Sequence, residues 1–401
     1  MQFASAASQR NDIGSALDDV LDRLGPQLAP ASADLAVVFV SGHHPVEVES
    51  LAGPLRKAFP QATIIGCTAE STVVDSREVE FGTSLSVLAG VLPGVTVRPF
   101  RLEASDLLDA NGDWPVRAGL GGGNGRGSDS APVIIAVGDP ASFPVGQFLA
   151  RINKDFPGCR VIGGMASAGF GPGENRLLLD GETHDEGLVG ITLSGDIRLD
   201  TVVSQGCRPV GRHAVITSSQ EHVIRELAGR PALELLSEIA RAMSPHEQKL
   251  LESGLFVGKV INEHKAEFSH GDFLVMNVPA IDPRSGAIAV TGEIRRGQTV
   301  QFHVRDAASA DEDLRQLLAP HGVASGKPAP AAALLFTCNG RGSRMWETAG
   351  HDAGMLQELC GPVPTTGFFA AGELGPVGGQ NLIHGFTASI ALLRPAQERV
   401  G

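Results

Sequence analysis

One order of segments recurs three times along this chain, and that recurrence limits the fold more than any single motif does. Each occurrence opens with an apolar run ending in small or polar residues: Asp34 to Gly42 (DLAVVFVSG), Pro132 to Asp139 (PVIIAVGD) and Ala333 to Gly340 (ALLFTCNG). A helical pattern follows, over Pro45 to Phe59, Pro144 to Phe156 and His351 to Leu359. Next comes a short strand with a glycine near its end, in Thr63 to Glu70 (TIIGCTAE), Arg160 to Ser167 (RVIGGMAS) and Pro364 to Glu373 (PTTGFFAAGE). A further strand, opened by glycine, starts from Gly82, Gly187 and Gly385. An apolar run, a helix and a second run read as parallel strands joined by a right-handed crossover. The expected fold is therefore α/β, built of mixed α+β elements, with repeated β-α-β-β units forming mixed sheets flanked by helices.

The first two occurrences are expected to share one domain, as an internal repeat. Different material separates them from the third. Pro231 to Met243 (PALELLSEIARAM) is an amphipathic helix with proline at its start, where a missing N–H costs nothing. FLVMNVPAID, GAIAVTGEI and TVQFHVRD, separated by turn residues, predict an antiparallel meander from Phe273 to Asp306 in the C-terminal domain. Ser309 or Asp311 is the expected cap of the helix DEDLRQLL. The divisions follow: an N-terminal helix in 1–30, around Ile13 to Leu24; a domain over 31–229, split by a glycine-rich linker at 119–131; and a second domain over 230–395. ASGKPAPAA, from Ala324, reads as another linker.

A chain of 401 residues with 42% hydrophobic residues can bury more than one core. Its net charge of -13, with no dense basic run, disfavours a nucleic-acid partner. MQFASAASQRNDIG lacks the basic start and apolar core of a secretory signal, and no window is apolar enough for membrane insertion. Cys67, Cys159, Cys207, Cys338 and Cys360 stand alone without a CxxC, as free thiols in a reducing compartment do. A cytoplasmic protein is the expectation.

Ligands of α/β sheets settle where strands end, because side chains and free backbone N–H groups converge there. Three junctions qualify: Gly66 to Glu70, with Cys67 and Thr68; Gly163 to Ser167, with Gly164; and Thr337 to Gly342 together with Gly372 and Glu373. Asn339 donates and accepts, Arg341 can fork onto a carboxylate, and Glu70 or Glu373 can hold an amine. An amino acid or similar small polar molecule suits this mixture. The competing reading gives the glycines to turns and the carboxylates to structural pairs with arginines. Cys338 is also a candidate nucleophile, with His384 as base and Glu373 as its orienter; buried cysteines are more often inert.

Sharper chemistry fails on inspection, and no cofactor or metal is expected. Gly121-Gly122-Gly123 is not followed by the Gly-Lys-Ser/Thr of a phosphate loop. His246-Glu247 begins like a zincin helix, but Leu250 stands where the second histidine belongs. Met165-Ala166-Ser167-Ala168-Gly169 lacks the leading glycine of a nucleophile elbow. His43-His44 has no cysteine or carboxylate at metal-ligand spacing.

LLFTCNGRG, VPTTGFFAAGELGPVGG and NLIHGFTASIALL resemble the C-terminal half of the FIST sensory domain, and DLAVVFVSG and TIIGCTAES its N-terminal half. The resemblance covers about Asp34 to Leu393. It implies a small-ligand-binding sensory module of signal transduction, with amino acids among the ligands, acting through a signalling partner or a homo-oligomer. The alternative is a small-molecule hydrolase or transferase using Cys338. The residues assigned to ligand binding are Cys67, Thr68, Glu70, Gly163, Gly164, Cys338, Asn339, Arg341, Glu373 and His384.

Overall fold

A computed structural model describes residues 1–29, 31–44, 48–109, 112–120, 132–268 and 271–396. Most of the expected linker at 119–131, and the start of the helix expected from Pro45, lie outside the described residues. The chain divides into two compact units. The first comprises Met1–Val203, Arg315–Ile383 and Ala388–Gly401; the second comprises Ser204–Leu314 and His384–Thr387.

The first unit holds three six-stranded mixed sheets with one strand order. In the first sheet, Leu35–Ser41 runs parallel to Thr63–Ala69 and antiparallel to Leu85–Val91, with Gln2–Ser8 outermost. In the second, Val133–Gly138 lies between Arg160–Met165 and Leu188–Gly195, with Val95–Leu102 outermost. In the third, Ala332–Cys338 lies between Thr365–Ala370 and Thr387–Pro395, with Ile197–Gln205 outermost. Continuous apolar runs make these central strands because both faces of each are covered. The outermost strand Gln2–Ser8, ahead of the N-terminal helix Ile13–Leu28, is an element the sequence reading passed over.

The far edge of every sheet is closed by a hairpin from another one. Thr72–Val74 and Arg77–Val79 follow the first sheet's parallel pair but join the third sheet at Thr365–Ala370. Leu177–Leu179 and Glu182–His184 follow the second pair and join the first sheet at Thr63–Ala69. Glu373–Val377 and Gln380–His384 follow the third pair and join the second sheet at Arg160–Met165. The exchange closes on itself.

The inner faces of the sheets share one core, in which Phe39, Phe336 and Phe368 pack with ring centroids 4.8 to 6.3 Å apart, beside Ile65, Ile135 and Ile162. Helices cover the outer faces. Ile13–Leu28 and Glu49–Ala58 pack on the first sheet, and Val145–Asp155 packs on the second beside buried Trp114. His351–Cys360 lies against the third, its Asp352 accepting from Thr337 at 2.7 Å and its Gln357 donating to Thr365 at 3.0 Å.

The second unit is built on an eight-stranded antiparallel sheet, which includes the segments expected in the C-terminal meander. Their pairing is less sequential than a meander: Phe273–Asn277 pairs with Leu255–Val260, and Ala287–Ala289 with Val223–Leu227. Ala232–Ala242 buries Ala232 and Leu236 against this sheet. The next helix starts at Ala307, earlier than expected. Its cap is Asp306, which accepts from Ala308 and Ser309, in place of Ser309 or Asp311.

Candidate functional site

The three glycine junctions occupy matching places in the three sheets. Gly66 pairs with Val38, Gly163 with Ala136 and Gly367 with Leu335, each on the neighbouring parallel strand. A Cβ at these glycines would stand 1.7 Å from the Val38 oxygen, 1.8 Å from that of Ala136 and 1.8 Å from that of Leu335. The missing side chain thus lets one strand press against the next. Gly164 adds close approach between sheets, since its Cβ would stand 2.9 Å from that of Ala370.

Beyond the glycines, the strand ends interlock through main-chain bonds. Phe369 donates to the Ser71 carbonyl at 3.0 Å, Ala371 to that of Met165 at 3.0 Å, and Met165 to that of Gly372 at 2.9 Å. Ser167 accepts from the Glu70 N–H at 3.0 Å and donates to the Phe369 carbonyl. Cys67 is wholly buried in the shared core, where burial pushes its thiol well above the usual range. Thr68 is held by Arg176, whose N–H donates to the threonine hydroxyl at 2.8 Å. Glu373, fully buried, pairs across from Gly164 on the second sheet. His384 is buried and belongs with the second unit.

The loop after Cys338 carries the richest chemistry. Arg341 is 0% exposed, and its fork is filled by the protein's own Asp352, with Nε to Oδ2 at 2.7 Å and Nη2 to Oδ1 at 2.8 Å. Thr337 and His351 also hold Asp352, and Trp346 stacks on His351 at 3.7 Å while lying 4.8 Å under the Arg341 guanidinium. Burial opposes the charge on both partners, yet Arg341 holds the Asp352 carboxyl below its usual range and Asp352 keeps Arg341 charged. The outward-facing fork is Arg344, which sequence reasoning missed. It grips Glu70 with both terminal nitrogens, at 2.8 and 2.6 Å, donates to the Asn339 carbonyl at 2.7 Å, and lies 4.9 Å over Phe81. Ser343 fastens the same loop to Glu80 through its N–H and hydroxyl.

Glu70, Cys338 and Asn339 therefore meet around Arg344 at one half-exposed rim. The Asn339 amide oxygen is buried there and receives no hydrogen bond from the protein. Gly340 donates to the Cys338 sulfur at 3.4 Å, and both arginines lie close enough to interact with that sulfur electrostatically. Among the described residues no group of three or more His, Cys, Asp or Glu side chains is placed to hold a metal ion.

Residues 34–230 match the FIST N domain and residues 232–376 the FIST C domain. The chain belongs to the FIST family. FIST domains are in general small-ligand-binding sensory domains of signal transduction. This FIST chain is similar to Mycobacterium tuberculosis H37Rv "Uncharacterized protein Rv0628c", with 39% identity over 98% of this chain and 99% of the relative. It is also similar to Mycobacterium bovis "Uncharacterized protein Mb0898c", with 38% identity over 91% and 92%. No helix among the described residues is long and apolar enough to cross a membrane.

Proposed function

We propose that this FIST protein senses a small polar molecule at the rim formed by Glu70, Cys338, Asn339 and Arg344. The observation that carries the reading is the Asn339 amide oxygen, buried without a donor on a loop otherwise tightly bonded. A buried acceptor without a donor costs free energy that a ligand N–H or O–H restores. The Glu70–Arg344 pair beside it offers a carboxylate and a planar fork, which suits a molecule with both an amine and a carboxylate, such as an amino acid. The pair is partly exposed, so opening it to admit a ligand costs little, as surface ion pairs contribute about 0–1 kcal/mol. The signal passes to a protein partner or a second copy in the cytoplasm, and a net charge of -13 argues against nucleic acid.

A thermal-shift screen of amino acids, short carboxylates and nucleotides identifies the ligand, because binding to the folded state raises its stability. With a ligand found, Asn339→Ala and Arg344→Ala are each expected to weaken binding about tenfold or more, as loss of a hydrogen bond to a charged group does. Affinity unchanged in both variants places the ligand elsewhere.

The half-exposed Cys338 thiol, with the Gly340 N–H and two guanidiniums nearby, favours a second reading, a small-molecule hydrolase or transferase with Cys338 as nucleophile. Iodoacetamide decides between them. Alkylation of Cys338 near neutral pH much faster than a free thiol supports the enzyme; an ordinary rate leaves the sensor.

A further inference from the structure

A hollow of about 290 Å³ lies where three elements of the first compact unit meet. The loop after strand Gln2–Ser8 supplies Arg10, the helix Ile13–Leu28 supplies Asp19 and Arg23, and the edge strand Arg77–Val79 supplies Arg77. Its charged lining is thus three guanidiniums and one carboxylate. That carboxylate is already engaged. Asp19 accepts from Arg23 Nη2 on both oxygens, at 3.0 and 2.9 Å, and from the Ser8 hydroxyl. Arg23 Nη1 also donates to the Ala7 carbonyl at 3.1 Å, which fixes this guanidinium on the wall. Arg10 and Arg77 differ from it. Both are exposed, and among the described residues neither side chain forms an ion pair or a hydrogen bond; Arg10 bears on Asp19 only at longer range. Arg77 also borders the neighbouring hollow that holds Glu78 and Glu80 and pairs with neither, for Glu78 accepts from the Ala353 N–H and Glu80 from Ser343.

We infer that this hollow is a binding site for a phosphate group, carried by inorganic phosphate or by a small phosphomonoester. With Asp19 and Arg23 neutralising each other, two guanidiniums remain, and a doubly charged anion matches them. Each guanidinium presents parallel donors that fork onto a pair of oxygens. A tetrahedral phosphate offers one pair to Arg10 and another to Arg77, whereas a carboxylate has a single pair to share. The volume suits a molecule of a few heavy atoms. The chain as a whole carries a net charge of -13, so a positive hollow focuses an anion at this place on an otherwise repelling surface. The site shares no residue with the rim of Glu70, Cys338, Asn339 and Arg344 and stands whether or not that rim binds a ligand.

Calorimetric titration of the full chain with inorganic phosphate and with phenyl phosphate, against acetate at the same ionic strength, tests the assignment. At least one phosphate is expected to bind saturably and acetate not to. Saturation by inorganic phosphate marks a site for the free anion, and tighter binding of phenyl phosphate marks a site for a monoester. Arg10→Gln and Arg77→Gln change exposed side chains, so both variants are expected to fold, and each is expected to weaken phosphate binding about tenfold or more. Arg212→Gln removes an exposed guanidinium of the second unit and is expected to leave phosphate binding unchanged. The inference is overturned if neither phosphate saturates, if acetate binds as tightly, if the affinity survives in both hollow variants, or if Arg212→Gln weakens binding as much as they do.

Discussion

Two arginines three positions apart, Arg341 and Arg344, divide structural and surface work between them. Arg341 anchors Asp352 in the interior, where removing one partner leaves an uncompensated charge, and Arg341→Ala is expected to cost roughly 3–5 kcal/mol of stability. Chemical denaturation measures this, and a loss below about 1 kcal/mol would show the pair to be dispensable. Glu78 offers a contrasting test through pH. Burial, reinforced by Asp352, pushes its carboxyl up from 4.5 to about 7. Between those values the folded protein holds a proton that the unfolded chain has released, so this group's contribution is full below 4.5 and is lost as pH rises through about 7. The melting temperature of the wild type minus that of Glu78→Gln is expected to fall between about pH 5 and pH 8. A flat difference rejects the raised carboxyl. Which arginine faces outward was not readable from NGRGSR, because the deciding partner, Asp352, lies on the next helix. Asn339 and Glu70 were readable as rim residues because both directly follow strand ends.

Among the elements, the central strands were the easiest to foresee. VVFV, VIIAV and LLF are apolar throughout, which a strand needs only when both its faces are covered. The exchanged hairpins were missed. In two of the three the strands are only three residues long, in the third five, and all three have partners far away in sequence, so neither periodicity nor proximity announces them. The junction glycines are legible near strand ends, as places for a ligand to meet the main chain; in the fold Gly66, Gly163 and Gly367 let one strand approach the next. Gly66→Ala would set a methyl 1.7 Å from the Val38 oxygen, so it is expected to destabilise by well over the ~1 kcal/mol typical of a point mutation. A near-neutral urea midpoint for this variant would contradict that role. At the helix Ala307–Leu318, Asp306→Ala is expected to cost about 1 kcal/mol through loss of the cap, measured by urea denaturation.

On the scale of the first compact unit, the three sheets complete one another. Each borrows the hairpin that closes its edge, so no sheet finishes from its own stretch of sequence. A chain ending at Val203 would lack every strand of the third sheet's centre and the hairpin Glu373–Val377 and Gln380–His384 that closes the second. Such a fragment is expected to show no cooperative melting transition, and a sharp one would mean that two sheets stand alone. The same ring of borrowed hairpins governs how the chain is born. While the ribosome is still making the middle of the protein, Arg160–Met165 has no partner on its outer side, and Thr72–Val79 has no sheet to join. Open strand edges recruit other chains, so newly made molecules are most exposed to aggregation during this wait. Sensitivity to crowding, temperature and chaperones is therefore expected to be greatest in the interval between synthesis of the first parallel strand pair and synthesis of the last.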